Sequence, residues 1–133
     1  MRTLKNSKAS EIFYGAVKKD KSIDLLIKEV KKGDLDSSTK YAYQAFCCAI
    51  LAKESTSYLQ KGKYIKQYGQ FITKSLENNS NSIEGRLVRL LIEQNLENVK
   101  FVSHTKEDTE FLKANVNNVE DSNIKELINN TVK

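Results

Sequence analysis

Residues 57–91, SYLQKGKYIKQYGQFITKSLENNSNSIEGRLVRLL, contain the pattern that decides the fold class. Apolar side chains recur there three or four residues apart, at Ile65, Tyr68, Ile72 and Leu76. This spacing places them on one face of an amphipathic helix. A polar run at residues 78–82 then forms the clearest turn of the chain, and a second stripe follows at Ile83, Leu87, Leu90 and Leu91. The stretch therefore predicts two helices joined by a short turn, with Leu87 and Leu91 in the core.

The same pattern extends outward in both directions. Helices are expected from about residue 10, from about 23 to about 32, over about 38–54, from about 105 and from about 122. The 133 residues include no proline and five glycines. An all-β or α/β chain would need more turn-forming residues than this. We therefore expect an all-α fold, an irregular array of six or seven antiparallel helices. Residues 1–133 would form a single domain, with residues 1–9 a poorly ordered N-terminal tail.

Several local features set the expected helix ends. Ser10 and Ser38 are suitable N-caps, and two capping pairs are predicted, Asn81 with Glu84 and Thr105 with Asp108. Gly33 fits the left-handed position after a helix, whereas Gly62 and Gly69, on one helix face, suggest close contact with another helix or a kink. Two points stay open at this stage: residues 10–30 could be one bent helix or two, and residues 98–103 could be extended or helical.

The charge of +5 is unevenly distributed. Residues 1–74 contain 15 Lys/Arg against 7 Asp/Glu, whereas residues 75–133 contain 7 against 10. A basic half is typical of a protein that binds an anionic partner, but it is also typical of a solvated lysine surface. No stretch has the roughly 20 apolar residues of a membrane-spanning helix, and no signal peptide is recognised at residues 1–10. Whether a leader has been removed, and where the protein resides, are left open.

The chemistry-bearing residues are few, so we predict no catalytic, cofactor-binding or metal-binding residue. Cys47 and Cys48 are adjacent and are expected to be small buried apolar side chains. The single histidine, His104, lacks the partners of a zinc site or a general base and is expected to be exposed or capping. The chain has no nucleophile elbow and no glycine-rich phosphate loop.

Two groups of residues are candidate binding sites. The first is a polar cluster, either structural or partner-binding, in which arginines on one helix reach an acidic pair on the next: Arg86, Arg89, Glu107 and Asp108. Glu93 is expected to pair with Arg89 at i, i+4. The second is a basic and aromatic patch on the long helix, in which tyrosines among lysines could stack on single-stranded nucleic acid or simply pack at a helix edge: Tyr58, Lys61, Tyr64, Lys66 and Tyr68.

Two resemblances add to this interpretation. Lys61-Gly62-Lys63-Tyr64, Phe71, Leu76 and the turn at residues 78–82 resemble part of a tetratricopeptide repeat, although no 34-residue period recurs. Residues 45–112 resemble an uncharacterised family of small bacterial helical proteins that are often exported. The matching positions are Lys61, Gly62, Glu84, Arg86, Arg89, Glu107 and Asp108. The resemblance implies tetratricopeptide-like helical hairpins and no activity, and the short segment around His104 departs from it.

The leading functional hypothesis is a non-catalytic interaction module that binds a protein or peptide partner in a groove between helices. The alternative is binding of nucleic acid or an anionic surface through the basic N-terminal half. An enzyme is the third reading.

Overall fold

The computed structural model describes residues 7–95 and 104–132 and confirms the all-α fold class. Within these residues the chain forms seven α-helices, a short 3₁₀ turn at Val116–Asn118, and no strand. None of these helices combines the length and the apolar character needed to cross a membrane. The helices are α1 (Lys8–Val17), α2 (Ile23–Val30), α3 (Ser37–Glu54), α4 (Tyr58–Asn78), α5 (Ile83–Glu93), α6 (Thr105–Asn115) and α7 (Ser122–Thr131). The ambiguous residues 98–103 lie outside the described part.

The first two segments are separate helices rather than one bent helix. α1 ends at Val17, and Lys19 adopts a φ of 66°, a left-handed conformation that interrupts any helix. Gly33, with a φ of 78°, takes the left-handed position predicted after α2. The N-cap of α1 is Ser7 and not Ser10, so residues 7–9 belong to the cap and first turn rather than to a tail.

Three other helix starts also differ from expectation. Asp36 caps α3, because its carboxylate accepts a hydrogen bond from the backbone of Thr39. Ser82 rather than Asn81 caps α5. His104 occupies the N-cap position of α6 without a capping side-chain bond. In each case the observed cap position lies within two residues of the predicted one.

The core is built around α3, whose buried face includes Ala42, Ala45 and Phe46. The ring of Phe13 from α1 packs 4.7 Å from Tyr43 and 5.0 Å from Phe46. These contacts hold α1 against the middle of α3. Among the described helices, α3 packs against α2, α4 and α5, and its aromatic side chains contact Phe13 of α1.

α5 supplies the opposite side of the core. Leu87 is fully buried as predicted, but Leu91 is only half-buried and Leu90 takes the second core position. The apolar stripe of α4 is also shorter than predicted, because Ile65 is 55% exposed whereas Ile72 is buried.

α3 and α4 form an antiparallel hairpin. Their contacts pair residues in opposite chain directions, Tyr41 stacking on Phe71 and the Cys48 thiol lying 3.8 Å from Gln67. At the base, Ser38 Oγ donates to the Ser75 carbonyl and Ser75 Oγ to the Ser38 carbonyl, both at 2.7 Å. This buried reciprocal pair fixes the register of the hairpin.

Gly85 allows α5 to pack closely on α4, because an added Cβ would lie 2.7 Å from Ser75 Oγ. The predicted close contacts at Gly62 and Gly69 are wrong, because an added Cβ would meet nothing within 4 Å at either position.

Candidate functional site

The four residues of the predicted polar cluster lie together between α5 and α6, and we call them the α5–α6 clamp. Asp108 is fully buried. Its Oδ1 accepts hydrogen bonds from Arg86 Nη1 at 3.2 Å and Arg89 Nη2 at 2.8 Å, and its Oδ2 accepts one from Arg89 Nε at 2.8 Å. The exposed Glu107 lies 3.1 Å from Arg86 Nη1. Helix packing thus brings together all four residues.

The clamp is electrically balanced, with two guanidinium groups facing two carboxylates. Burial lowers the pKa of Arg89, but the hydrogen bond and the charge of Asp108 outweigh this effect and raise it overall. Arg86 also donates to the Ser80 carbonyl at 3.0 Å and stacks 4.7 Å from the ring of Phe111. The arginines are thus engaged by groups of the chain itself, which favours a structural role over anion capture.

Glu93 pairs with His104. The predicted i, i+4 pair between Glu93 and Arg89 is not the contact that the structure shows. The Glu93 carboxylate is buried and accepts from the His104 backbone at 2.7 Å, and His104 Nδ1 lies 3.1 Å from Oε2. This pair ties the start of α6 to the end of α5. With Arg89, Ile72 and Thr73, it lines a cleft of about 280 Å³.

The structure separates the members of the basic and aromatic patch. Tyr58 is 91% exposed at the start of α4, whereas Tyr64 is half-buried. The hydroxyl of Tyr68 is buried, and burial raises its pKa. Lys61 and Lys66 flank these residues on α4. Three tyrosines therefore do not present a common stacking face, because Tyr68 faces the interior.

The cysteines occupy an apolar setting. Both are buried, and burial together with the neighbouring Cys48 raises the pKa of Cys47 to about 12. A thiol in this state is a poor nucleophile at neutral pH. Across residues 7–95 and 104–132, no three His, Cys, Asp or Glu side chains are arranged to hold a metal ion.

A groove that the sequence interpretation missed lies where α1 and α2 meet the ends of α3 and α5. Its volume is about 570 Å³. We call it the lysine-rimmed groove and define it by an apolar floor and a charged rim. The floor contains Val17, Ile23, Phe46, Ile50, Leu91 and Ile92, and the rim contains Lys19, Lys21, Lys53 and Glu54.

The turn between α1 and α2 builds one side of this rim. The carbonyl of Gly15 accepts from the backbone of Asp20 at 2.7 Å and of Lys21 at 3.1 Å. The methylenes of Lys21 pack across Gly15, where an added Cβ would lie 2.6 Å from Lys21 Cγ. The left-handed conformation of Lys19 costs a non-glycine residue about 1–2 kcal/mol. Residues 18–21, which read only as an interruption between helices, thus place two lysines at the groove.

No family model, curated protein or solved structure matches the chain. The resemblances to tetratricopeptide repeats and to a family of small bacterial helical proteins therefore stay predictions.

Proposed function

We propose that this protein is a non-catalytic interaction module, and that its lysine-rimmed groove binds a peptide segment with both apolar and acidic side chains. The observation that carries the proposal is the groove itself, an apolar floor bordered by three lysines. This combination is suited to an amphipathic partner that buries one face and keeps its acidic groups at the rim.

The floor supplies apolar surface that the fold leaves partly uncovered. Val17, Ile50, Leu91 and Ile92 pack against the core but are only half-buried. Their remaining surface can be removed from water by a partner, at about 25 cal/mol for each Å² of apolar area buried. Because these residues come from α1, α3 and α5, the floor is shaped by packed helices and is largely preformed.

The rim favours a partner of negative charge. Lys19, Lys21 and Lys53 are exposed, and among the described residues that line the groove the one acidic side chain is Glu54. Complementary charge at the edge of an interface chiefly increases the association rate and excludes partners of the wrong sign. The lysine stems can cover apolar surface while their ammonium groups stay in water.

The test is binding of a fluorescent amphipathic peptide of about 18 residues, five helical turns at 3.6 residues each, with leucines on one face and glutamates on the other. Fluorescence anisotropy should show saturable binding, and the same peptide with lysines in place of the glutamates should bind at least tenfold more weakly. The Lys19→Glu/Lys21→Glu double variant should weaken binding at least tenfold. A matched control, Lys28→Glu/Lys31→Glu at the exposed C-terminal end of α2, should change it less than threefold.

A second variant separates groove binding from general attraction to a basic protein. Ile50→Ser removes an apolar floor contact without changing charge, and it should also weaken binding at least tenfold while circular dichroism stays helical. Equal binding by wild type and Ile50→Ser, or equal losses in the two lysine pairs, would contradict the proposal. The alternative, phosphate-driven binding through the basic half, predicts instead a steep fall with salt and no dependence on Ile50.

A further inference from the structure

The end of the α3–α4 hairpin exposes large apolar side chains. Tyr58 is 91% exposed and Leu59 is 88% exposed, directly after the connection at residues 55–57. Single exposed apolar residues are common on protein surfaces. Two adjacent ones that are almost fully exposed at the end of a hairpin indicate a surface that contacts something else. We call residues 55–66 the hairpin tip.

The fold leaves the N-terminal half of α4 largely uncovered. The buried residues of α4, Ile72 and Ser75, both belong to its C-terminal half. α5 has 11 residues against 21 in α4, so it cannot cover the whole length of its neighbour. The space around Gly62 is open to at least 4 Å. Within residues 7–95 and 104–132, most side chains of the tip are therefore exposed.

The tip is also strongly basic. Residues 55–66 contain three lysines and no Asp or Glu. At 100° per residue, Lys63 and Lys66 lie about 200° and 140° around the helix axis from Lys61. These charges surround the helix instead of lining one edge. A partner helix laid along α4 would meet only some of them, whereas a flat anionic surface meeting the tip can approach all of them.

We propose that the hairpin tip docks on an anionic lipid bilayer, independently of the peptide groove. Tyr58 and Leu59 enter the boundary between headgroups and acyl chains, a region that favours an aromatic ring with a polar hydroxyl. Lys61, Lys63 and Lys66 remain at the level of the lipid phosphates. Tyr58 and Leu59 are the exposed apolar side chains at the end of the tip, and Ile65, which is 55% exposed, lies seven residues after Tyr58 along α4. This apolar surface is small, so the attachment is reversible and needs both the apolar and the electrostatic contribution.

The experiment is co-sedimentation of the intact chain with two kinds of vesicle. One contains phosphatidylcholine alone and the other about one third phosphatidylglycerol, an anionic lipid. The anionic vesicles should bind at least tenfold more protein, and the excess should disappear in about 1 M salt, where the screening length falls to about 3 Å. Tyr58→Ser/Leu59→Ser and Lys63→Gln/Lys66→Gln should each reduce binding at least fivefold.

Matched controls change similar residues elsewhere. Leu25→Ser alters an exposed apolar residue of α2, and Lys28→Gln/Lys31→Gln removes two exposed charges at the C-terminal end of α2. Both should bind anionic vesicles like wild type. Wild-type binding by Tyr58→Ser/Leu59→Ser, or an equal loss in the α2 lysine pair, would overturn the proposal. So would tip variants that lose binding to a fluorescent single-stranded oligonucleotide while keeping vesicle binding, since this result would assign the tip to nucleic acid.

Discussion

Among the four residues of the α5–α6 clamp, Asp108 has the least exposed side chain. Its carboxylate is fully buried and receives hydrogen bonds from Arg86 and Arg89, so three charged side chains share one small volume. A buried ion pair gains little over an apolar pair of the same shape. Removing one partner is much more costly, because the remaining charges stay buried without compensation.

Asp108→Ala should therefore lower the free energy of unfolding by about 3–5 kcal/mol, the range for a broken buried pair. Glu107→Ala is the matched control. Its side chain is 58% exposed, so its loss should cost no more than about 1 kcal/mol. Urea denaturation of the two variants measures both values. A double-mutant cycle between Arg89 and Asp108 should give clear coupling, and zero coupling would contradict the structural role of the clamp.

The sequence predicted the members of this clamp but not its details. Arginines three residues apart on one helix and an acidic pair at the start of the next must meet if the two helices are antiparallel neighbours. Which carboxylate is buried depends on the rotation of α6, which local sequence does not determine. The i, i+4 rule predicted that Glu93 pairs with Arg89. In the structure the Glu93 carboxylate instead bonds to His104, which lies in a different segment of the chain.

The apolar periodicity predicted which segments form helices, but it did not predict where neighbouring helices come into close contact. Gly62, Gly69 and Gly85 all lie within helices, and the sequence favoured the first two as contact points because they are seven residues apart. The structure places the contact at Gly85, where α5 meets the Ser38–Ser75 hydrogen bonds. Spacing shows that residues share a face, but the length and offset of neighbouring helices decide which part of that face is covered.

Alanine substitutions at Gly85 and Gly62 should therefore have opposite effects on stability. Gly62→Ala should raise the free energy of unfolding by about 0.4–1 kcal/mol, because alanine is the better helix former and the space is open. Gly85→Ala should lower it by about 1–3 kcal/mol, the usual cost of overpacking, since Ser75 Oγ is held by its bond to Ser38. Thermal and urea unfolding check both values. The same sign for the two variants would contradict the packing of α5 on α4.

At the scale of the whole molecule, the fold class followed from composition and periodicity, whereas the groove did not. Its floor combines residues near 17–23, 46–50 and 91–92. No linear motif contains these residues. The sequence indicated only that Lys19 and Lys21 lie in a break between two helices. The basic character of residues 1–74 was visible in the sequence. The structure shows that some of the lysines in this part of the chain lie at the rim of the groove and others at the hairpin tip.

Peptide binding in the lysine-rimmed groove can be located by a ¹⁵N NMR titration of the intact chain with the leucine–glutamate peptide. We expect saturable shifts at the amides of groove residues from three separate segments, Ile23, Ile50 and Leu91, with the amides of Tyr58 and Arg86 unchanged. Shifts centred on Tyr58, shifts spread evenly over exposed lysines, or no shifts at a peptide excess would show that the groove is not the binding site.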